Sequence, residues 1–166
     1  MPVPFEIRPG SVDDLPFLRE MLYEAAYWRP GVARPSLEAG LTRPDLPRLL
    51  EGWGTRAGDT AIIGQSRSGE PLGAAWFRFW SADVFSYGFV SPDIPELAIA
   101  VRPGARRQGL GRRLIVALLQ EAARAGIAQV SLSVESDNPA AALYRSVGFL
   151  VVAHNGGAVT MIADTR

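Results

Sequence analysis

The sequence predicts an α/β (α+β) fold, a mixed central sheet of about seven strands with helices on both faces. Three observations predict it. Short segments of alternating apolar residues recur along the chain between Gly, Pro and Asn punctuation. Segments with apolar residues at helical spacing separate them. Turn sequences with hairpin character then join two of the strand pairs. At 166 residues the chain is expected to form one domain, 1–166, large enough to bury a core without disulfides or structural metal.

Phe5 to Arg8 reads as a first strand, ended by Pro9-Gly10. Ser11, with Asp14 three residues on, reads as the N-cap of a helix carrying Leu15, Leu18, Leu22 and Ala25/Ala26, stopped by Tyr27-Trp28-Arg29-Pro30-Gly31. Residues 29–58 are rich in Pro and Gly, with room for short helices at Ser36–Gly40 and Pro44–Glu51. Thr60–Ile63 and Gly73–Trp80 flank the turn Ser68-Gly69-Glu70-Pro71 and read as a hairpin. In Pro95–Val101, Leu97, Ile99 and Val101 share one face and Glu96, Ala98 and Ala100 the other. Gly109–Ala125 is an amphipathic helix on Leu110, Leu114, Leu118 and Ala122, closed by Gly126. Gln129–Val134 alternates again, with Val130, Leu132 and Val134 inward. Asn138 caps a helix starting at Pro139 and ending at Gly148. Phe149–Ala153 and Ala158–Ala163 bracket His154-Asn-Gly-Gly as a last hairpin.

Apolar residues at 48% and charged residues at 20% are ordinary for a globular protein. Zero formal net charge argues against a nucleic-acid or anionic-membrane partner. No apolar run approaches the roughly 20 residues of a membrane span, and the start has no basic-then-apolar leader, so a cytoplasmic location is expected. The absences are sharper. Without cysteine there are no disulfides, thiolate nucleophiles or thiolate-ligated zinc. Without lysine there is no Schiff base, pyridoxal linkage or P-loop lysine. One histidine, His154, gives no pair for a metal. No metal is expected, and the chemistry falls to carboxylates, hydroxyls, backbone amides and arginine.

Val101-Arg-Pro-Gly-Ala-Arg106-Arg107-Gln108-Gly109-Leu110-Gly111-Arg112-Arg113-Leu114 carries the central functional signal. A strand ends, a turn with two spaced glycines follows, and a long helix begins at once. Free N–H groups and the positive dipole end of that helix form an anion site, which the arginines reinforce. A G-x-G turn also serves simply to join strand to helix, so the fragment alone leaves both readings open. A Rossmann fingerprint would need a third glycine where Leu114 stands.

Arg106-x-x-Gly109-x-Gly111, followed at family distance by Asn138-Pro-Ala-Ala-Ala-Leu143-Tyr144-x-x-x-Gly148-Phe149, resembles the GNAT superfamily of acetyl-CoA-dependent N-acetyltransferases. The resemblance covers nearly the whole chain; one spacing departs, Asn138 to Tyr144 being one residue shorter than in many members. It implies a GNAT-like fold with a splay between the fourth and fifth strands, and acetyl-CoA (coenzyme A) as co-substrate. It implies that Arg106, Arg107, Gln108, Gly109, Leu110, Gly111 and Arg112 hold the pyrophosphate. Leu97, Ala98, Ile99, Ala100 and Val101 would line the pantetheine, and Asn138 would contact that arm or only cap its helix. Tyr144 would be the general acid to the leaving thiolate: a phenol with pKa near about 10 can protonate a thiolate near about 8.5. Glu96, where many relatives carry a glutamate, would be the general base, directly or through water, although a solvent-facing carboxylate is an equal reading of the residue alone. The acceptor, a small-molecule or peptide amine, would meet the first helices and the last hairpin, which implicates Tyr27, Trp28, Asp83, Phe85, Tyr87 and His154. A homodimer is compatible with an open sheet edge and the Trp/Phe-rich strand Ala74–Trp80. The alternative is a non-catalytic acyl-CoA-binding module, which has no need of both Glu96 and Tyr144.

Overall fold

The computed structural model describes residues 4–166. Its strands are β1 (Phe5–Pro9), β2 (Thr60–Ser66), β3 (Pro71–Arg78), β4 (Glu96–Val101), β5 (Gln129–Glu135), β6 (Leu150–Asn155) and β7 (Ala158–Asp164). Its helices are α1 (Leu15–Ala26), α2 (Leu37–Gly40), α3 (Leu110–Arg124) and α4 (Ala140–Ser146). One sheet runs in the order β1-β2-β3-β4-β5-β7-β6, antiparallel throughout except for the parallel pair β4–β5.

Strand alternation sorts the apolar residues into two cores. Ile62, Ala75, Phe77, Leu97, Val130 and Leu132 pack with Leu110, Leu114, Ile115 and Leu118 of α3. Their neighbours Ala61, Ile63, Ala74 and Trp76 face the other way, onto Phe17, Leu18, Met21 and Leu22 of α1. Central strands buried on both faces read as near-continuous apolar runs, as β3 does from Leu72 to Phe77. The strand at Ala74–Trp80, expected to be available for a dimer, therefore lies inside the sheet and ends at Arg78. The sheet edges are β1 and β6 instead, and β6 is strongly exposed, with Leu150 72% and Val152 53% exposed.

Local signals set the element ends. Ser11 and Asp14 make a reciprocal capping box: Asp13 N–H donates to Ser11 Oγ and Ser11 N–H to Asp14 Oδ2. Ala140 N–H donates to Asn138 Oδ1 at 2.9 Å, which realises the expected cap of α4.

The Pro/Gly-rich stretch before β2 holds only α2 and a 3-10 turn at Pro47–Leu49. Tertiary contacts hold it. Leu41, Leu46, Leu50 and Trp53 are buried against the α1 side. Arg78, 1% exposed, donates to both Asp59 carboxylate oxygens at 2.9 and 2.7 Å and to the carbonyls of Arg48 and Glu51 at 3.0 and 2.7 Å. One buried guanidinium thus supplies hydrogen bonds that the segment cannot make as regular structure.

Candidate active site

β4 and β5 meet at one register pair, Glu96 with Ser131, secured by Ser131 N–H to Pro95 C=O at 2.9 Å. Beyond it the two strands diverge. The backbone groups of β4 that face β5 are left without a strand partner on that side. A cavity of about 850 Å³ fills the gap. It is lined by Leu97, Ala98 and Ile99 of β4, by Leu132 to Glu135 of β5, and by Asn138, Ala140 and Tyr144 around α4. The end of α1, residues 43–49 and the loop before β4 contribute Trp28, Arg43, Leu46, Ser86 and Tyr87.

At the far end of β4 the chain enters the glycine turn. Gly109 has φ +85° and precedes α3; no atom lies within 4 Å of a Cβ built there. Arg107, at φ 60°, is the one non-glycine residue in the left-handed region among the described residues. The first α3 amide bonded within the helix is that of Arg113, to Gly109 C=O at 3.2 Å. The N–H groups of Leu110, Gly111 and Arg112 precede it and point out of the helix end. This open, amide-lined turn fits a pyrophosphate sterically and electrostatically. The arginines are less available than their number suggests. Arg102 is paired with Glu20 and Arg106 with Glu24, Arg112 donates to Ser146 Oγ, and Arg113 donates to Phe5 C=O. Arg107 has no side-chain partner among the described residues.

Glu96 is not a solvent-facing carboxylate. It is 9% exposed; Trp80 Nε1 donates to its Oε2 at 2.9 Å and Gly88 N–H to its Oε1 at 3.0 Å. Burial pushes its pKa up to about 7, against the pull of the two donors and of the Arg48 charge. A carboxylate poised there is half ionised near neutral pH, as a general base requires.

Tyr144 is 8% exposed and packs edge-on against Phe149, ring centroids 6.0 Å apart. No described group hydrogen-bonds its hydroxyl, which borders the cavity. Burial raises its pKa above the ordinary phenol value, so the hydroxyl stays protonated.

The structure gathers Glu96, Leu97, Ala98, Ile99, Asn138, Tyr144, Trp28 and Tyr87 around one cavity. Four expected acceptor residues stand apart from its lining. Tyr27 turns its hydroxyl to Gly40 C=O at 3.0 Å. Asp83 is exposed in the loop, and Phe85 stacks on Phe89 at 5.0 Å. His154 is exposed on the free-edge strand, while its neighbour Asn155 lines the cavity. Sequence reasoning missed Trp80, Gly88 and Ser131 around Glu96, and Arg29, Ser133, Glu135 and Asp137 in the wall. Arg29 joins Asp137 at 2.7 Å and Glu135 at 2.8 Å with its guanidinium over the Trp28 ring. The one available signal was Trp80, whose indole N–H needs an acceptor wherever it is buried.

Residues 19–149 match the acetyltransferase (GNAT) family. The chain belongs to that family. Among curated members it is similar to mycothiol acetyltransferase of Saccharomonospora viridis, 34% identical over 95 residues, which are 57% of this chain and 31% of that protein. It is also similar to the ribosomal protein bS18-alanine N-acetyltransferase of Escherichia coli, 50% identical over 52 residues, 31% of this chain and 35% of that one. The matched stretches thus span about a third of the length of these relatives. In fold it resembles the PaiA N-acetyltransferase of Thermoplasma acidophilum, solved in complex with coenzyme A, with TM-score 0.72, 18% identity, and 96% and 98% of the two chains covered. Among the described residues no helix is long and apolar enough to cross a membrane, and no group of three or more His, Cys, Asp or Glu is placed to hold a metal ion.

Proposed function

We propose that this GNAT-family chain transfers an acetyl group from acetyl-CoA to a primary amine by direct attack. The observation that carries the reading is the forked β4–β5 pair, with Glu96 and Tyr144 both on the cavity that fills the fork. Family membership supplies the donor, and the alanine N-acetyltransferase among the relatives supports an amine acceptor in general.

The amides of the Arg107–Arg112 turn hold the donor's pyrophosphate, and the open edge of Leu97–Val101 hydrogen-bonds the pantetheine arm. An alkyl amine with pKa near 10.4 is only about 0.04% neutral at pH 7, so a proton must leave it before attack. Glu96 takes that proton, directly or through one water, using lone pairs that Trp80 and Gly88 leave free. As the new C–N bond forms and the thioester C–S bond breaks, the Tyr144 hydroxyl gives its proton to the departing sulfur, and the second proton shed by the nitrogen, passed through solvent, restores the phenol. Glu135 and Asp137 on the cavity wall are paired with Arg29, which leaves Glu96 as the lining carboxylate without an arginine partner to meet an amine; apolar Leu22, Ala26, Leu46 and Leu49 suit its hydrocarbon body.

Calorimetric titration with acetyl-CoA, followed by thiol-release assays over a panel of primary amines, tests the reading. Binding with amine-dependent release is the expected result. Binding without release from any amine points to an acyl-CoA-binding module, and no binding by the folded protein overturns both.

A further inference from the structure

We propose that Trp80, Gly88 and Ser131 are positioning residues that fix Glu96 at the fork and join it to the acceptor-side loop. The inference rests on Glu96 being the base of the proposed reaction. Its geometry is continuous. Trp80 Nε1 and Gly88 N–H each donate to one oxygen of Glu96, at 2.9 and 3.0 Å. The carbonyl of the same Gly88 accepts from Ser131 Oγ at 2.7 Å, and Ser131 is fully buried. Glu96 and Ser131 are the two members of the single β4–β5 register pair. Gly88 therefore bridges the root of the fork, bonded to the residue on either side.

Only glycine fits this position, for reasons of approach. A Cβ on Gly88 would lie 2.9 Å from Glu96 Cδ and 2.9 Å from the backbone carbon of Leu132. The first neighbour could give way only by moving the base, and the second only by moving β5. Ser86 and Tyr87, just before Gly88 in the chain, both line the cavity. Their loop is held from the other side by Tyr87 Oη to Asp45 at 2.8 Å and by Arg48 to Phe85 C=O at 2.6 Å. An acceptor seated against Ser86 and Tyr87 thus presses on the peptide that orients Glu96.

The donors also tune the base. Both favour the charged carboxylate, as does Arg48, while burial opposes it. Arg78, opposite Glu96 on β3, is committed to Asp59, and Tyr144 across the cavity stays neutral. Removing a donor moves the Glu96 titration upward.

The test is the pH titration of the Glu96 carboxyl carbon by NMR in protein labelled with ¹³C-glutamate, assigned by the resonance lost in Glu96→Gln. Wild type should titrate near neutrality. Trp80→Phe should move the midpoint up by about one pH unit, the usual scale for one hydrogen bond to a charged group. Ser131→Ala, which removes one hydroxyl from the clasp, should move it the same way by less. Unmoved midpoints in both variants overturn the proposal; should Trp80→Phe fail to fold, Ser131→Ala decides it alone. The titration needs no acceptor, so a protein that acetylates nothing unseats the catalytic reading without touching this result.

Discussion

Replacing Glu96 with glutamine should make the protein's stability less sensitive to pH, by an amount set by the burial of this one carboxyl. In the folded chain its pKa is raised from 4.5 to about 7, chiefly by desolvation. Between those two values the folded state holds a proton that the unfolded state has released. The stabilisation is fully present below the unfolded pKa and is lost as pH rises through the folded one. A rise of about 2.5 units at 1.36 kcal/mol each makes this loss about 3 kcal/mol. In a chain of this size that is a fall in Tm of roughly 6 to 12 °C. Glutamine cannot ionise. It keeps one acceptor for Trp80 or Gly88 and turns its NH₂ toward the other donor, a cost of about 1–3 kcal/mol that does not vary with pH. Asp14, Asp45 and Asp137, whose arginine partners hold their pKa values low, contribute equally to both proteins and cancel in the difference. Thermal and urea unfolding of the two proteins from pH 4.5 to 8 reads the effect. The wild-type curve should fall relative to the variant's. Parallel curves would refute the argument, because Glu96 would then titrate like an ordinary carboxylate.

Tyr144→Phe removes a hydroxyl with no protein partner, so stability should barely change while turnover drops by about 10²–10⁴ with acetyl-CoA affinity retained; equal loss of both in calorimetry and steady-state assays would count against the general acid. Gly109→Ala places a Cβ in the amide cradle at a positive φ, and acetyl-CoA should bind roughly tenfold more weakly. Gly126→Ala carries the same backbone strain of about 1–2 kcal/mol at the far end of α3 and should lower Tm while sparing affinity. Asp59→Ala leaves the Arg78 guanidinium buried without its counter-charge, and thermal unfolding should show a loss of about 3–5 kcal/mol.

The fold was legible wherever one short pattern decided one element. Leu110, Leu114 and Leu118 marked α3, Gly126 closed it, and Val130, Leu132 and Val134 turned inward as their alternation required. The turn at Arg107–Gly111 was legible because glycine spacing and a following helix are both local. The lining of the cavity beside α1 was not. Whether Tyr27, Asp83, Phe85 or His154 reaches the cavity depends on how residues 29–58 and the loop before β4 lie across the sheet, and that path is set by Arg78, Asp59 and Tyr87 acting at long range. Glu96 was singled out for its place on a strand, while the sequence left open whether it faced solvent. Alternation assigns a face, and only the fold shows that Trp80 and Gly88 come to cover it.

The lone Glu96–Ser131 bridge makes the sheet two continuous ladders, β1–β4 and β5–β7–β6, that share one rung. Amide protons of residues 97–101 that face the fork have no neighbour to shield them, so they should exchange with solvent much faster than those facing β3. An extended molecule carrying its own amide groups, laid into the fork, would supply the missing rungs. Sheet continuity is then shared between the chain and what it binds, and amide protection along one edge of β4 becomes a direct gauge of occupancy.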